Sequence, residues 1–213
     1  CDEGTITVNG KVMGKDKDML TDAGIIIEDP GFLRTWSGYH NLEFLYTLRN
    51  KKNKDYLCSV LRKVGLDPAL KRPVGKYSLG MRQRLALAQA IMEDPGILIL
   101  DEPMNGLDKN GVREIRELLL KMKEENKAVV FISHDLEELM EVCSKLIVLR
   151  DGVFVAELEK SEFEEEKIKE LMVGRKLTGD YYRSDYDGSY GKEVVLSAEK
   201  LYVGDSLKGV SLE

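Results

Sequence analysis

Cysteine is scarce in this chain of 213 residues: Cys1, Cys58 and Cys143 are odd in number and far apart. They have no metal-ligand spacing, so they argue against a disulfide framework and for a reducing, cytosolic setting. Long apolar runs are absent too. No stretch approaches the roughly 20 residues that would cross a bilayer, and the amino terminus lacks the basic-then-apolar pattern of a signal peptide. Any membrane role is therefore expected to run through a partner. An excess of basic charge is also missing. The formal net charge of −6 speaks against a nucleic-acid surface, and Arg49, Lys51, Lys52 and Lys54 read as a solvated helix end. What remains, 43% hydrophobic and 33% charged, suits a soluble globular α/β protein with one sizeable core.

The most informative stretch runs from Tyr77 to Asp108, YSLGMRQRLALAQAIMEDPGILILDEPMNGLD. Ser78 is a natural N-cap, and Met81, Leu85, Ala88 and Met92 recur as one helical face. The spacing predicts a helix from about Leu79 to Glu93, ended by Pro95 and Gly96. Ile97 to Leu100 is a continuous apolar run of the kind buried on both faces of a parallel sheet. Asp101 and Glu102 sit where that strand stops. Open α/β sheets bind ligands beyond the carboxyl ends of their strands, so an aspartate there can hold Mg²⁺ while the next carboxylate orients an attacking water. A solvated acidic turn is the alternative reading of the two acids alone.

Around this stretch the pattern alternates between strand and helix. Gly4 to Lys11 reads as a strand entering a hairpin at Asn9-Gly10, and Gly24 to Glu28 as a short buried strand turned by Asp29-Pro30-Gly31. Asn41 can cap a helix carrying Leu42, Leu45, Tyr46 and Leu48, and a second helix carrying Leu57, Val60, Leu61 and Val64 stops at Gly65. Cys58 and His40 read as structural. Val112 to Lys123 is amphipathic, Ala128 to Ser133 is a second buried strand ending at His134, and Asp135 to Cys143 is a helix. A DG hairpin at Asp151-Gly152 joins strands Lys145 to Leu149 and Val153 to Glu157, and a charged helix follows over Glu162 to Val173. Residues 174–192 are rich in Gly, Ser, Asp and Tyr and read as a linker, after which Glu193 to Leu196 starts a new strand.

Ser78-Leu79-Gly80-Met81 opening a helix, then Ile97 to Glu102, then Asn105-Gly106-Leu107-Asp108, resembles the signature, Walker B and D-loop series of ATP-binding cassette (ABC) ATPases. His134 resembles their switch histidine. Four elements in the family's order make a specific signal. The resemblance implies an α/β fold of the P-loop NTPase type, here incomplete, with a helical subdomain inserted over about residues 32–93. It implies ATP and Mg²⁺ as ligands, with Asp101 on the metal, Glu102 activating water, and His134, as a neutral imidazole, sensing the γ-phosphate. Ser78 and Gly80 would meet a nucleotide held mainly by a facing cassette, and Asp108 would link the two sites. Glu28 stands where the family usually has a glutamine, and as a carboxylate it remains a competent Mg²⁺ ligand.

The main departure is that no G-x-x-x-x-G-K-[ST] phosphate loop occurs in the sequence. The expectation is a fragment: residues 1–173 a partial nucleotide-binding domain, 174–192 a linker, and 193–213 the first strands of a second cassette. ELMVGRKL with the restart after it resembles tandem sugar importers, whereas YSLGMRQRL resembles single-cassette exporters, including peptide-antibiotic types. The implied function is ATP hydrolysis driving solute transport, on the cytoplasmic face of the membrane. Transmembrane permease subunits, docking near Phe32, Leu33 and Trp36, and a second cassette in the same chain or a homodimer would be the partners. Two rivals remain: a soluble tandem ATPase acting on ribosomes, and an inactive regulatory cassette.

Overall fold

A computed structural model describes residues 4–16, 20–27, 31–175, 197–203 and 207–212. The chain divides into two compact units, residues 1–165 and 166–213.

In the first unit, β1 (Thr7–Val8) and β2 (Lys11–Val12) form the expected hairpin. Asn9 and Gly10 both take positive φ, 50° and 75°, as a two-residue turn matching strand twist requires. A parallel sheet follows, in the order β3 (Ala23–Ile26), β4 (Ile97–Asp101), β5 (Ala128–Ile132). One face carries Gly24, Ile26, Leu98, Leu100, Val129 and Phe131. It is covered by α3 (Leu79–Ile91), which crosses so close to β3 that a Cβ on Gly24 would lie 1.9 Å from the carbonyl oxygen of Ala90. Leu85 and Ala88 are fully buried and Met92 nearly so, as the four-three-four spacing predicts. Burying a leucine such as Leu85 contributes roughly 1.5–3 kcal/mol.

The other face departs from expectation. Ile25, Val130 and Ile132 are 41%, 50% and 51% exposed, so β5, expected as a second buried strand, is covered on one face only. An apolar run reports what a strand can bury, not which neighbours arrive to cover it.

The helical layer is built by α1 (Gly38–Thr47) and α2 (Lys54–Lys63) beside α3. Asn41 does not cap α1. Ser37 does, its Oγ accepting the His40 N–H, while Asn41 is buried inside the helix. There its amide oxygen accepts from the Leu33 N–H at 2.8 Å and its nitrogen donates to the Leu33 and Ser37 carbonyls at 3.2 and 3.0 Å. These bonds tie the approach segment to the helix, and a buried amide needs such partners. Asn53 caps α2, which ends at Gly65 with φ 73°.

The amphipathic helix α4 (Lys109–Glu124) starts three residues earlier than predicted because Asp108 caps it. Then come α5 (Leu136–Val142), capped by Asp135, and the antiparallel pair β6 (Lys145–Arg150) and β7 (Val153–Glu159) across Asp151-Gly152. The last predicted helix begins later than Glu162, which closes a 3₁₀ turn; α6 spans Glu165–Val173. The second unit contains α6 from its second residue onward and an antiparallel pair, β8 (Ala198–Val203) with β9 (Leu207–Leu212). The strand expected at Glu193 to Leu196 lies outside the described residues, as does the expected linker from residue 176 onward.

Candidate active site

The parallel ladder puts the carboxyl ends of β3, β4 and β5 on one edge, and the candidate site is built there. Asp101 is the last residue of β4, paired with Ile132, and by alternation it shares the open face with Ile97 and Ile99. Asp101 is half-buried as a residue, and its carboxylate takes no hydrogen bond or ion pair among the described residues. A carboxylate with no partner on a half-buried residue is a fit for a cation. Asp101 nevertheless belongs to no group of three or more His, Cys, Asp or Glu side chains suited to a metal, among the described residues. Glu28, the other expected ligand, lies outside the described residues.

Glu102 turns the chain off the strand. Its φ is 46°, the left-handed region that side chains other than glycine seldom adopt. Its N–H donates to the Ile132 carbonyl at 2.9 Å, and its own carbonyl accepts the Asn105 N–H at 3.1 Å and the Gln83 amide Nε2 at 3.0 Å. The side chain reaches across to the end of β5. Oε1 accepts the His134 backbone N–H at 3.1 Å and lies 2.7 Å from His134 Nδ1, while Ser133 Oγ is 3.5 Å from Oε2. Ser133 Oγ also lies 3.3 Å from Glu138 Oε2 and accepts the Asp135 N–H at 3.0 Å. A hydroxyl has one proton, so it serves one of the two carboxylates at a time.

The His134 ring is 82% exposed at its edge of the site and the Glu102 side chain 34%. The hydrogen bond that the ring donates to Glu102, followed by that carboxylate's negative charge, raises the His134 pKa above its ordinary value. The contact therefore shifts the ring's balance toward its protonated form. Glu138, beside Ser133, is raised by burial and then by the charge of Asp135.

The remaining predicted residues converge at the start of α3. Ser78 caps the helix by accepting the Met81 N–H at 3.2 Å, so its hydroxyl has a structural task. Gly80 packs on the turn after β4: a Cβ there would come 2.8 Å from the Gly106 carbonyl oxygen. Gly106 has φ 74° and sits against the Leu79 side chain. Asp108 accepts the Gly111 N–H at 2.9 Å. The structure thus joins Glu102 to His134, leaves Asp101 one residue before Glu102 at the strand end, and brings Gly80, at the start of the helix that Ser78 caps, against Gly106. Sequence reasoning missed Gln83 and Ser133. Ser133 stands beside His134 and could have been noticed, but no spacing rule announces Gln83.

Solved structures define the class of this fold. The structure matches a dimeric structure of MJ0796, described as a bacterial ABC transporter cassette, with a TM-score of 0.66 over 76% of this chain and 75% of that one, at 21% identity. The profile of the ABC transporter family matches residues 1–105. The chain is 34% identical to the uncharacterized ABC transporter ATP-binding protein YdbJ of Bacillus subtilis, across 98% of this chain and 72% of that protein. It is 43% identical over 145 residues to the bacitracin transport ATP-binding protein BcrA of Enterococcus faecalis, a match covering 68% of this chain. The chain belongs to the ABC transporter ATP-binding protein family. It spans about half, 47%, of the bacitracin relative's length.

Proposed function

We propose that the protein containing this chain is the ATP-hydrolysing subunit of an ABC transporter. The observation that carries this reading is the junction of Glu102 with His134 beside the unpartnered Asp101, at the carboxyl edge of the sheet. In this reading Glu102 orients a water and takes its proton as the water attacks the terminal phosphorus of ATP, whose bond to the bridging oxygen breaks so that ADP leaves with that oxygen's electron pair. His134 holds the Glu102 carboxylate in place and presents its Nε2 toward the phosphate. Asp101, with Glu28 as a second candidate ligand, would hold Mg²⁺, which would supply positive charge to the phosphate oxygens. Ser78 and Gly80 place the α3 amino terminus, with its unpaired N–H groups, against a nucleotide held by a facing cassette, and Asp108 links the two sites.

The domain assignment is part of the same proposal: residues 1–173 form a nucleotide-binding domain, 174–192 a linker and 193–213 the opening strands of a second cassette. Partners would be transmembrane permease subunits and that cassette or a second copy, with the protein on the cytoplasmic face of the membrane. Among the described residues no helix is long and apolar enough to cross a membrane. Leu33 and Trp36 are 44% and 41% exposed, and Trp36 opens onto a groove of about 970 Å³ with His40, Phe44, Lys54, Leu70 and Lys71. That groove supports permease docking there, whereas Phe32 packs partly into the core. For substrate, YSLGMRQRL and the bacitracin relative favour a peptide antibiotic; sugar import rests on the ELMVGRKL junction alone.

The test is Glu102→Gln in the full-length protein. It should retain ATP binding and lose turnover by at least about 100-fold. Unchanged turnover would remove Glu102 as the catalytic carboxylate. Wild-type protein without ATPase activity would favour the regulatory cassette, and co-purification with ribosomes the soluble ATPase.

A further inference from the structure

We propose that Gln83 is a positioning residue for catalysis: its amide, reaching from α3, sets the direction in which Glu102 presents its carboxylate. The inference rests on the reading of Glu102 as the carboxylate that activates water.

The argument starts from the backbone. At φ 46° the Glu102 peptide is held in a conformation that costs a side-chain-bearing residue on the order of 1–3 kcal/mol. Such a conformation persists only where the surroundings fix it. On its amino side the fixing group is the Ile132 carbonyl of β5. On its carboxyl side there are two donors. The Asn105 N–H belongs to the same turn and would follow it if it moved. Gln83 Nε2, at 3.0 Å, is the only donor to that carbonyl from another element among the described residues. Only the nitrogen of the amide can face a carbonyl oxygen, so the orientation of Gln83 is unambiguous.

The bond is part-buried and spans 19 residues of sequence. Gln83 stands on α3, which is anchored under the sheet by Leu85 and Ala88, so the donor is carried by a packed helix. With the Glu102 peptide held on both sides, the side chain leaves the turn toward β5 and meets His134 at 2.7 Å. Without the Gln83 donor, the carbonyl has only the local turn bond, and the residue is free to relax toward ordinary backbone angles. That relaxation swings the carboxylate off the edge where Asp101 lies. The same helix begins at Ser78, so the element that would meet a facing nucleotide also holds the carboxylate of its own site.

The experiment compares Gln83→Glu, Gln83→Lys and Glu102→Gln in the full-length protein. Gln83→Glu keeps the shape and removes the donor, whereas Gln83→Lys keeps a donor of similar reach. Gln83→Glu should lower kcat about tenfold with KM for ATP within about twofold, the size of one part-buried hydrogen bond. Amide hydrogen exchange across residues 102–105, measured without nucleotide, should speed up by about the same factor, and Gln83→Lys should restore both readouts. A Gln83→Glu protein with wild-type kcat and exchange overturns the proposal, as does an equal loss in Gln83→Glu and Gln83→Lys. If Glu102→Gln keeps full turnover, the role given to Glu102 fails. The exchange measurement then still decides whether Gln83 holds the turn.

Discussion

Nδ1 of His134 lies 2.7 Å from Oε1 of Glu102, although the two residues are 32 apart in sequence. The contact raises the His134 pKa above 6.5, its ordinary value. A raised pKa means that the folded chain binds the proton more tightly than the unfolded chain does. The pair's contribution is thus fully present below about pH 6.5 and is lost as pH rises through the higher folded value. A proton NMR titration of the His134 ring should show a midpoint above 6.5 that falls back in Glu102→Gln. A midpoint at or below 6.5 in the unaltered chain would show that the contact does not form in solution.

Gly24 makes room for α3 to lie on the sheet. A Cβ there would meet the Ala90 carbonyl oxygen at 1.9 Å and the Leu98 side chain at 2.9 Å. A backbone oxygen in a buried helix cannot step aside, so Gly24→Ala should push α3 off β3 and cost about 3 kcal/mol. Urea denaturation measures this directly. A loss below about 0.5 kcal/mol would contradict the packing seen between α3 and β3.

Asp108 has a structural task separable from the one proposed for its charge. As N-cap of α4 it accepts the Gly111 N–H, so Asp108→Ala should cost about 1 kcal/mol while Asp108→Asn costs only a few tenths. Thermal unfolding of the two variants measures the difference. Equal losses would show that the charge, not the cap, stabilises α4. If Asp108→Asn keeps its stability but ATP turnover falls, the carboxylate does more than cap.

Much of the candidate site was readable in advance because its parts are local. Ser78 caps a helix whose apolar face recurs within the same 13 residues, and Asp101-Glu102 closes an apolar run. A cap and a periodicity need no distant partner to be recognised. Asn41 shows the opposite case. Its residue type suits a helix cap, yet its three hydrogen bonds to Leu33 and Ser37 bury it inside α1. Gln83 is similar: on sequence alone it is one polar residue on an amphipathic helix, and only the meeting of α3 with the turn after β4 gives its amide a carbonyl to hold.

The sequence by itself determined the order of strands and helices, the stretch that carries the chemistry and the family to which the chain belongs. Periodicity, capping chemistry and short motif spacing are properties of neighbouring residues. Tertiary structure alone decided that Glu102 reaches His134, that the contact shifts the ring toward its protonated form, that Gly24 lies under Ala90 and that one sheet face is open along β5. Each of these depends on where separate segments cross, and burial, charge and hydrogen bonding between them act over distances in space that spacing along the chain does not encode.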